Sequence, residues 1–541
     1  MPTLHWIGKD KIINHHQKVP YKVLNHEFGF SENEKSETPI ASGNLIINGD
    51  NLEALKSLLP KYEGKVNCVY IDPPYNTGNE SWVYNDNVNS PKIKKWLGKV
   101  VGKESEDLTR HDKWLCMMYP RLKLLHKLLT KNGAIFISID DNEQANLKLM
   151  MDEVFGGGNF VSNVIWQRAY SPVNLKKTFS QNHDFVICYC KNYSLFEMNG
   201  LERSVEADDR YKNLDNDERG LWTSGDLTVG PAVDTKLYKI VSPSGKEFYP
   251  PKGRCWVITE DRFNEYLEDN RIWFGEKGNN MPRQKRFLSD VKDGITPMTV
   301  WTYQEVGHTQ DAKKEIKSIF SESDIPFDTP KSIKLMERII QLGANKNSII
   351  LDSFAGSGTT AHAVLNLNKQ DGGNRKFILI EMEDYAETIT AERVKRVING
   401  YGPPTPKGGE KTTEGTGGSF DYYTLGEPLF DEHNNLNETV GIEKIREYVW
   451  FAETRIPTPA LPEGEGARTG KVYLGTHNDT AYYFIYEKDS LTTLDYESLA
   501  DYVQQKAERY IIYADNCLLP ETFMRAKNIE FKKIPRDITR F

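Results

Sequence analysis

Two stretches of this sequence alternate strand-like with helix-like runs, and that rhythm limits the fold more than any other feature. In the first, NLIING reads as a strand, DNLEALKSLLPKY as a helix and VNCVYID as a strand again. DKWLCMMYPRLKLLHKLLTKNG then carries apolar residues at helical spacing up to a glycine stop at Gly133. The strand AIFISID and the helix NEQANLKLMMDEVFG follow. In the second stretch, SIKLMERIIQLG predicts a helix, NSIILDSF a strand, the residues after Thr359 a helix and KFILIEM a strand. Strands separated by helices imply crossover connections, so the expected fold is α/β with a mostly parallel, doubly wound sheet. The order is odd. NSIILDSF and its glycine turn have the character of a first Rossmann-type strand, yet they come late. The two stretches complete one sheet only if the chain is permuted.

A chain of 541 residues exceeds what one core ordinarily serves, and five segments are expected. Residues 1–43 form a polar N-terminal arm, 44–160 the first half of the sheet domain and 326–425 its second half. Between the halves, 161–325 starts with NVIWQRA and HDFVICYC, which suit a hairpin, and continues irregular and rich in charge, Gly and aromatics. GPPTPKGGEKTTEGTGG (402–418) reads as a flexible linker. Residues 426–541, with a helix at GIEKIREYVWFAE and strands at TAYYFIYE and RYIIYAD, suit a small C-terminal α/β domain. No run approaches eighteen apolar residues and the N-terminus lacks a signal peptide's apolar centre, so no membrane contact and a cytoplasmic location are expected. Of six cysteines, Cys188 and Cys190 share one face of a strand and are expected as buried free thiols. The net charge of −8 argues mildly against nucleic acid, but phosphate binding depends on local patches.

Two motifs carry chemistry. After the strand VNCVYI comes Asp72-Pro73-Pro74-Tyr75. The prolines cannot continue a sheet ladder, so the chain stiffens where it leaves the sheet. A carboxylate and a backbone carbonyl held rigid accept hydrogen bonds from an amino group, and a tyrosine beside them offers a stacking face. Together they suit an exocyclic amine on a base taken out of the helix. The bland alternative is an ordinary strand-end turn. The second motif runs from Asp352 through Phe354, Gly356 and Gly358 to Thr360, with a helix expected after it. No Lys follows Gly358, which argues against a Walker-type phosphate site. Gly356, Gly358 and Ala361 fit G-x-G-x-x-A, with Glu381 ending the next strand. On this motif alone a dinucleotide, S-adenosylmethionine and purely structural glycines all stay open.

The two motifs together resemble the amino-group DNA methyltransferases that use S-adenosylmethionine. Asp72-Pro73-Pro74-Tyr75 matches their catalytic tetrapeptide, and F-x-G-x-G at Phe354, Gly356 and Gly358 matches their cofactor motif. The order, catalytic motif first and cofactor motif about 280 residues later, is that of the permuted β class. NLIINGDNLEAL, DPPYNTGN, WQRA followed by QNHDFVICYCKN, FDTPKS and GGSFDYYTLG resemble more closely the Mod subunits of Type III restriction–modification systems. The resemblance implies a permuted Rossmann-like methyltransferase sheet with a target recognition domain inserted at 161–325. It implies adenine N6 methylation of a specific double-stranded DNA sequence, with S-adenosyl-L-methionine as cofactor and no metal.

Residue by residue, it implies that Asp72 and the Pro73 carbonyl accept from the adenine amine, Pro74 completes the rigid frame and Tyr75 stacks on the base. Phe354 packs near the cofactor's methionine end, Gly356 and Gly358 clear the backbone for it, and Glu381 binds ribose hydroxyls. Asp352 and Asp50 join the cofactor pocket, and for Asp50 a helix N-cap is an equal alternative. Asp at position 72 favours adenine over cytosine N4. The family implies a homodimer and a Res helicase–nuclease partner. Arg283, Lys285 and Arg286, interleaved with aromatics, and the basic pair Lys176-Lys177 are the expected DNA contacts, with a solvated basic face as the alternative. His183 and His308 are expected to be structural. Other readings are an oxidoreductase, which leaves DPPY unexplained, an orphan adenine or cytosine-N4 methyltransferase, and a catalytically silent specificity subunit.

Overall fold

The structure, a computed structural model, describes residues 3–77, 109–172, 177–202, 208–290, 294–321, 329–404, 411–456 and 472–540, with 95, 98, 100 and 327. It divides into two compact units, one of Met1–Met198 with Met298–Phe541, the other of Asn199–Pro297.

The larger unit is built on one sheet of eleven strands. In chain order these are β1 (Lys22–Ser31), β2 (Glu34–Ser36), β3 (Leu45–Asn48), β4 (Val66–Ile71), β5 (Leu129–Ile139), β6 (Phe160–Gln167), β7 (His183–Cys190), β8 (Val300–Trp301), β9 (Ile349–Asp352), β10 (Lys376–Glu381) and β11 (Ser419–Pro428). Their spatial order is β8-β6-β7-β5-β4-β9-β10-β3-β11-β1-β2. The central six, from β5 to β11, are mutually parallel. The late strand β9 lies between β4 and β10, with Ile350 opposite Cys68 and Leu351 opposite Val69. The permuted α/β sheet expected from the sequence is therefore present.

Both faces of the central strands are covered, which is why VNCVYI and AIFISI are apolar without alternation. Helix α1 (Asn51–Tyr62) and helix α2 (Arg110–Leu128) join one core cluster with Val69, Ile71, Ile135, Ile137, Leu351 and Ile378. On the other face, helix α3 (Ile333–Gly343) approaches so closely that a Cβ at Gly343 would lie 2.7 Å from the Phe136 ring. Thr109 and Asp112 form a capping box at the start of α2. Gly133 differs from expectation. The helix stops at Leu128, and Gly133 sits inside β5, where a Cβ would lie 2.8 Å from the Asn67 carbonyl oxygen on the neighbouring strand. Close strand approach selects this glycine, with no helix cap involved.

Three segment boundaries also shift. The arm expected at 1–43 belongs to the sheet domain: Trp6, Ile12, Val19 and Tyr21 are in the core and β1 pairs antiparallel with β11. The block expected at 161–325 is divided. Its hairpin, β6 and β7, extends the main sheet because β7 pairs antiparallel with β5 and buries DFVICYC there. Only Asn199–Pro297 forms a separate unit, with a three-stranded antiparallel sheet (Trp222–Asp226, Arg283–Phe287, Ile272–Trp273) and a small core around Trp256 and Phe263. Third, the linker expected at 402–418 is partly a ribbon, Tyr401–Pro404 pairing with Lys411–Thr413.

The C-terminal segment has its own four-stranded sheet (Tyr473–His477, Thr480–Phe484, Arg509–Ala514, Ile529–Lys533). One of its faces, with helix α4 (Ile442–Thr454), packs into the main core through Tyr448, Phe451, Leu474, Phe484 and Tyr513. Among the described residues no helix is long and apolar enough to cross a membrane. Cys188 and Cys190 are free and buried.

Candidate active site

Parallel sheets of this kind hold ligands beyond the carboxyl ends of their strands, where the strand order reverses. Here that place is the gap between β4 and β9. β4 runs straight into Asp72 and β9 ends on Asp352. A pocket at this point is lined by Tyr70, Asp72, Lys331, Asp352, Phe354 and Gly356, among others. The structure thus brings together the tetrapeptide and the glycine motif, which the sequence holds far apart.

The tetrapeptide is braced from behind. Trp114 Nε1, buried on α2, donates to the Pro74 carbonyl at 2.6 Å. Asn76 takes a left-handed backbone, φ +57°, a conformation that Asn tolerates well. Its side chain donates to the fully buried Glu143 and to the Arg110 carbonyl, and Arg110 donates back to the Asn76 carbonyl at 3.0 Å. His111 completes the brace on Glu143 at 2.7 Å. Asp72 Oδ2 accepts from Lys331 Nζ at 2.7 Å, and the same ammonium lies 4.9 Å from the centroid of the Tyr75 ring. Burial and the charge of Asp72 push the Tyr75 phenol well up, so it stays protonated.

The glycine motif forms a tight turn between β9 and helix α5 (Thr359–Asp371). Asp352 is buried and accepts from the Thr360 hydroxyl at 2.6 Å and the Phe354 amide at 3.0 Å. Burial still raises its carboxyl from 3.8 to about 7, ahead of these hydrogen bonds. Glu381 accepts the Gly356 amide at 2.8 Å and the Glu383 amide at 3.0 Å, and burial raises it to about 7. Gly356 and Gly358 have φ of +52° and +80°. A Cβ at Gly356 would lie 3.2 Å from Phe327 Cζ and one at Gly358 3.1 Å from the Thr390 carbonyl oxygen. The turn is tied down by Arg393, which donates to Ser357 and Thr359 at 2.8 Å each, and by the Thr390 hydroxyl on the Gly356 carbonyl at 2.6 Å.

Asp50 caps α1, accepting the Leu52 amide at 2.9 Å and the Glu53 amide at 3.2 Å, and it lies 3.5 Å from the buried Arg121 guanidinium. The capping alternative is thus realised. The expected DNA contacts fall in both units, Lys177 in the larger one and Arg283, Lys285 and Arg286 in Asn199–Pro297. Lys176 lies outside the described residues, as do 78–79 of the DPPYNTGN run. Lys177, Arg283 and Arg286 are exposed. Lys285 corrects the expectation. It is fully buried and paired with Asp215 and Asp217, because alternation along Arg283–Phe287 turns it to the same face as Phe287. His183 packs edge-on against Phe185, and His308 caps a helix by accepting the Asp311 amide.

Sequence reasoning missed Glu143, Trp114 and Arg393, and it placed Lys331 and Thr360 within their motifs without giving either a role. Lys331 also had a local signal: it stands directly before the helix whose start was expected at SIKLM.

The DNA methylase family model matches residues 66–392, a span that takes in both motifs. The Type III restriction–modification enzyme StyLTI Mod subunit of Salmonella typhimurium is 37% identical over 354 residues, 63% of this chain and 53% of that protein. The EcoPI Mod subunit of Escherichia phage P1 is 32% identical, covering 71% of this chain and 64% of its own. The Type II methyltransferase M.KpnI of Klebsiella pneumoniae is 32% identical, covering 66% of this chain and 85% of its own. This chain therefore spans between half and two thirds of the length of these Mod subunits. The solved M1.HpyAVI–SAM complex is 17% identical, covering 65% of this chain and 98% of its own, with a TM-score of 0.29.

Proposed function

Since the chain belongs to the DNA methylase family, we propose that it methylates adenine N6 at a specific sequence in double-stranded DNA, with S-adenosyl-L-methionine as donor. The observation that carries this reading is the convergence of Asp72 with the glycine turn on one pocket at the strand ends, where Lys331 joins Asp72 to the Tyr75 ring. The residues present suit the cofactor. Gly356 lines the pocket with positive φ, and a Cβ there would stand against Phe327, which lines it too. The Glu381 side chain stands beside that glycine, and its two oxygens, which accept the Gly356, Glu383 and Met382 amides, have lone-pair capacity left for a ribose hydroxyl.

S-adenosyl-L-methionine supplies a methyl group activated by its sulfonium. The remaining work falls to the chain. Asp72 and the Pro73 carbonyl accept the hydrogens of the target amine, which loosens its conjugation with the ring and turns its lone pair outward. The Asp72 carboxylate then faces the positive charge that grows on the nitrogen. Tyr75 stacks on the base and offsets part of the few kcal/mol that unstacking costs. Trp114 and Glu143 fix the tetrapeptide, so the acceptors need not reorganise during transfer. Asp at position 72 favours adenine over cytosine.

The likeness to Mod subunits supports a role as the modification and specificity subunit of a Type III system, as a homodimer with a Res helicase–nuclease partner. No Walker lysine motif occurs in this sequence, so ATP-driven cleavage would come from that partner. The Asn199–Pro297 unit is the proposed recognition element, with Arg283 and Arg286 on it and Lys177 elsewhere meeting phosphates. The test is methyl transfer from labelled S-adenosyl-L-methionine to unmethylated genomic DNA, with the labelled nucleoside identified and Asp72→Ala alongside. Label in N6-methyldeoxyadenosine, lost in the variant, supports the reading. Label in cytosine overturns the base, and no label despite bound cofactor overturns the activity of the isolated chain.

A further inference from the structure

We propose that Lys331 is a resident stand-in for the target amine: its ammonium fills that position in the DNA-free protein and is displaced when the base enters. The proposal rests on the adenine-methylation reading above. Its geometry is specific. One nitrogen, Lys331 Nζ, is 2.7 Å from Asp72 Oδ2 and 4.9 Å from the Tyr75 ring centroid. Those are the acceptor and the ring face assigned to the adenine amino group and its base. On this proposal the ammonium and the base compete for this carboxylate and this ring.

Electrostatics gives a reason for a stand-in. Asp72 and Asp352 share the pocket, and each carboxylate disfavours the charge of the other. Burying two such groups without a cation is costly, and the side chains of Asp72 and Lys331 are only 10% and 14% exposed. The positive charge of Lys331 also reaches Asp184, which is buried and paired with Arg168 at 2.8 Å. The charge of this one ammonium is thus felt by Asp184 and Asp352 as well as by Asp72.

Holding the loop is not what this ion pair is needed for. Ser332, the next residue, is already anchored by its hydroxyl on the Val306 carbonyl at 2.7 Å, and a helix begins at Ile333. The backbone can therefore stay in place while the side chain withdraws. A site that rests around an ammonium is also matched to the charge that develops on N6 during transfer, more than to the neutral amine. Lys331 is in this sense a positioning residue acting through Asp72.

The experiment uses the full chain and a duplex carrying the site located by mapping methylated adenines, with 2-aminopurine next to the target adenine, which keeps its 6-amino group. The rise in 2-aminopurine emission as its neighbour leaves the stack is titrated, at pH 8 and with S-adenosylhomocysteine, for the wild type, Lys331→Met and Lys331→Arg. Removing the competing cation should raise the equilibrium constant for base capture about tenfold in Lys331→Met, with Lys331→Arg close to the wild type. Equal or weaker capture in Lys331→Met overturns the proposal, as does loss of cofactor binding by that variant, which would make Lys331 a cofactor ligand. Failure of the wild type to methylate the unmodified duplex would instead remove the underlying reading, so the two failures are distinct.

Discussion

Replacing Asp352 with Asn keeps the side chain's size and its ability to bond Phe354 and Thr360 while removing a group that titrates in the folded state near pH 7. Burial raises this carboxyl from 3.8 to about 7, against the opposing pull of its two hydrogen bonds and of Lys331. In the unfolded chain it releases its proton near 3.8. Between those values the folded protein binds more protons at this site than the unfolded one. Its contribution to stability is therefore complete below pH 4, falls as pH rises and is gone above about pH 7. The slope is about 1.4 kcal/mol per pH unit, so the wild type should lose about 3 kcal/mol relative to Asp352→Asn between pH 5 and pH 8. Urea unfolding of both proteins without cofactor, followed by tryptophan fluorescence across that range, gives the difference directly. Parallel stability profiles would show that Asp352 is ionised throughout, and the argument from burial would fail.

Asp72→Ala should abolish methyl transfer while leaving S-adenosyl-L-methionine affinity within a few-fold, checked by calorimetry. Glu381→Ala should weaken the cofactor and also strand the Gly356 and Glu383 amides, costing ~1–3 kcal/mol of stability for each; equal loss of both properties in both variants would undo the division of roles. Gly358→Ala must hold φ +80° with its Cβ against the Thr390 carbonyl, so a loss of ~1–2 kcal/mol in stability and weaker cofactor binding are expected from thermal unfolding with and without cofactor. Lys285→Met leaves Asp215 without its cation, while Asp217 keeps Arg219, and should destabilise the Asn199–Pro297 unit by ~3 kcal/mol. Its salt dependence of DNA binding should match the wild type, whereas Arg286→Ala should lower the slope by about one; a matching drop for Lys285→Met would contradict its burial.

The rhythm of apolar strands and helices made the sheet legible, and the late glycine strand made its permutation legible, because both follow from local pattern. The places of Asp72 and Glu381 were legible for the same reason: each stands at the end of a strand run. What escaped depends on distant partners. Lys285 reads as a surface cation beside Arg286 until strand alternation and two aspartates from another segment are known. Gly133 reads as a helix stop because the strand that forbids its side chain, at Asn67, is remote in sequence. The bracing of Pro74 by Trp114 and of Asn76 by Glu143 joins residues that no short motif links. The hairpin at 160–190 was seen, but its membership of the main sheet was not, since pairing partners are chosen by burial across the whole domain.

Position β4 beside β9, and β3 beside β11, and the order of synthesis acquires meaning. β4 emerges about 280 residues before its central neighbour, which at roughly 5–20 residues per second is on the order of 15–60 s on the ribosome. The Asn199–Pro297 unit is continuous in sequence and can close during that interval. The first half of the sheet cannot: its strands wait with one edge open and apolar on both faces. Nascent chains of this protein are thus most vulnerable to aggregation after the Asn199–Pro297 unit has folded and before residue 381 has left the exit tunnel.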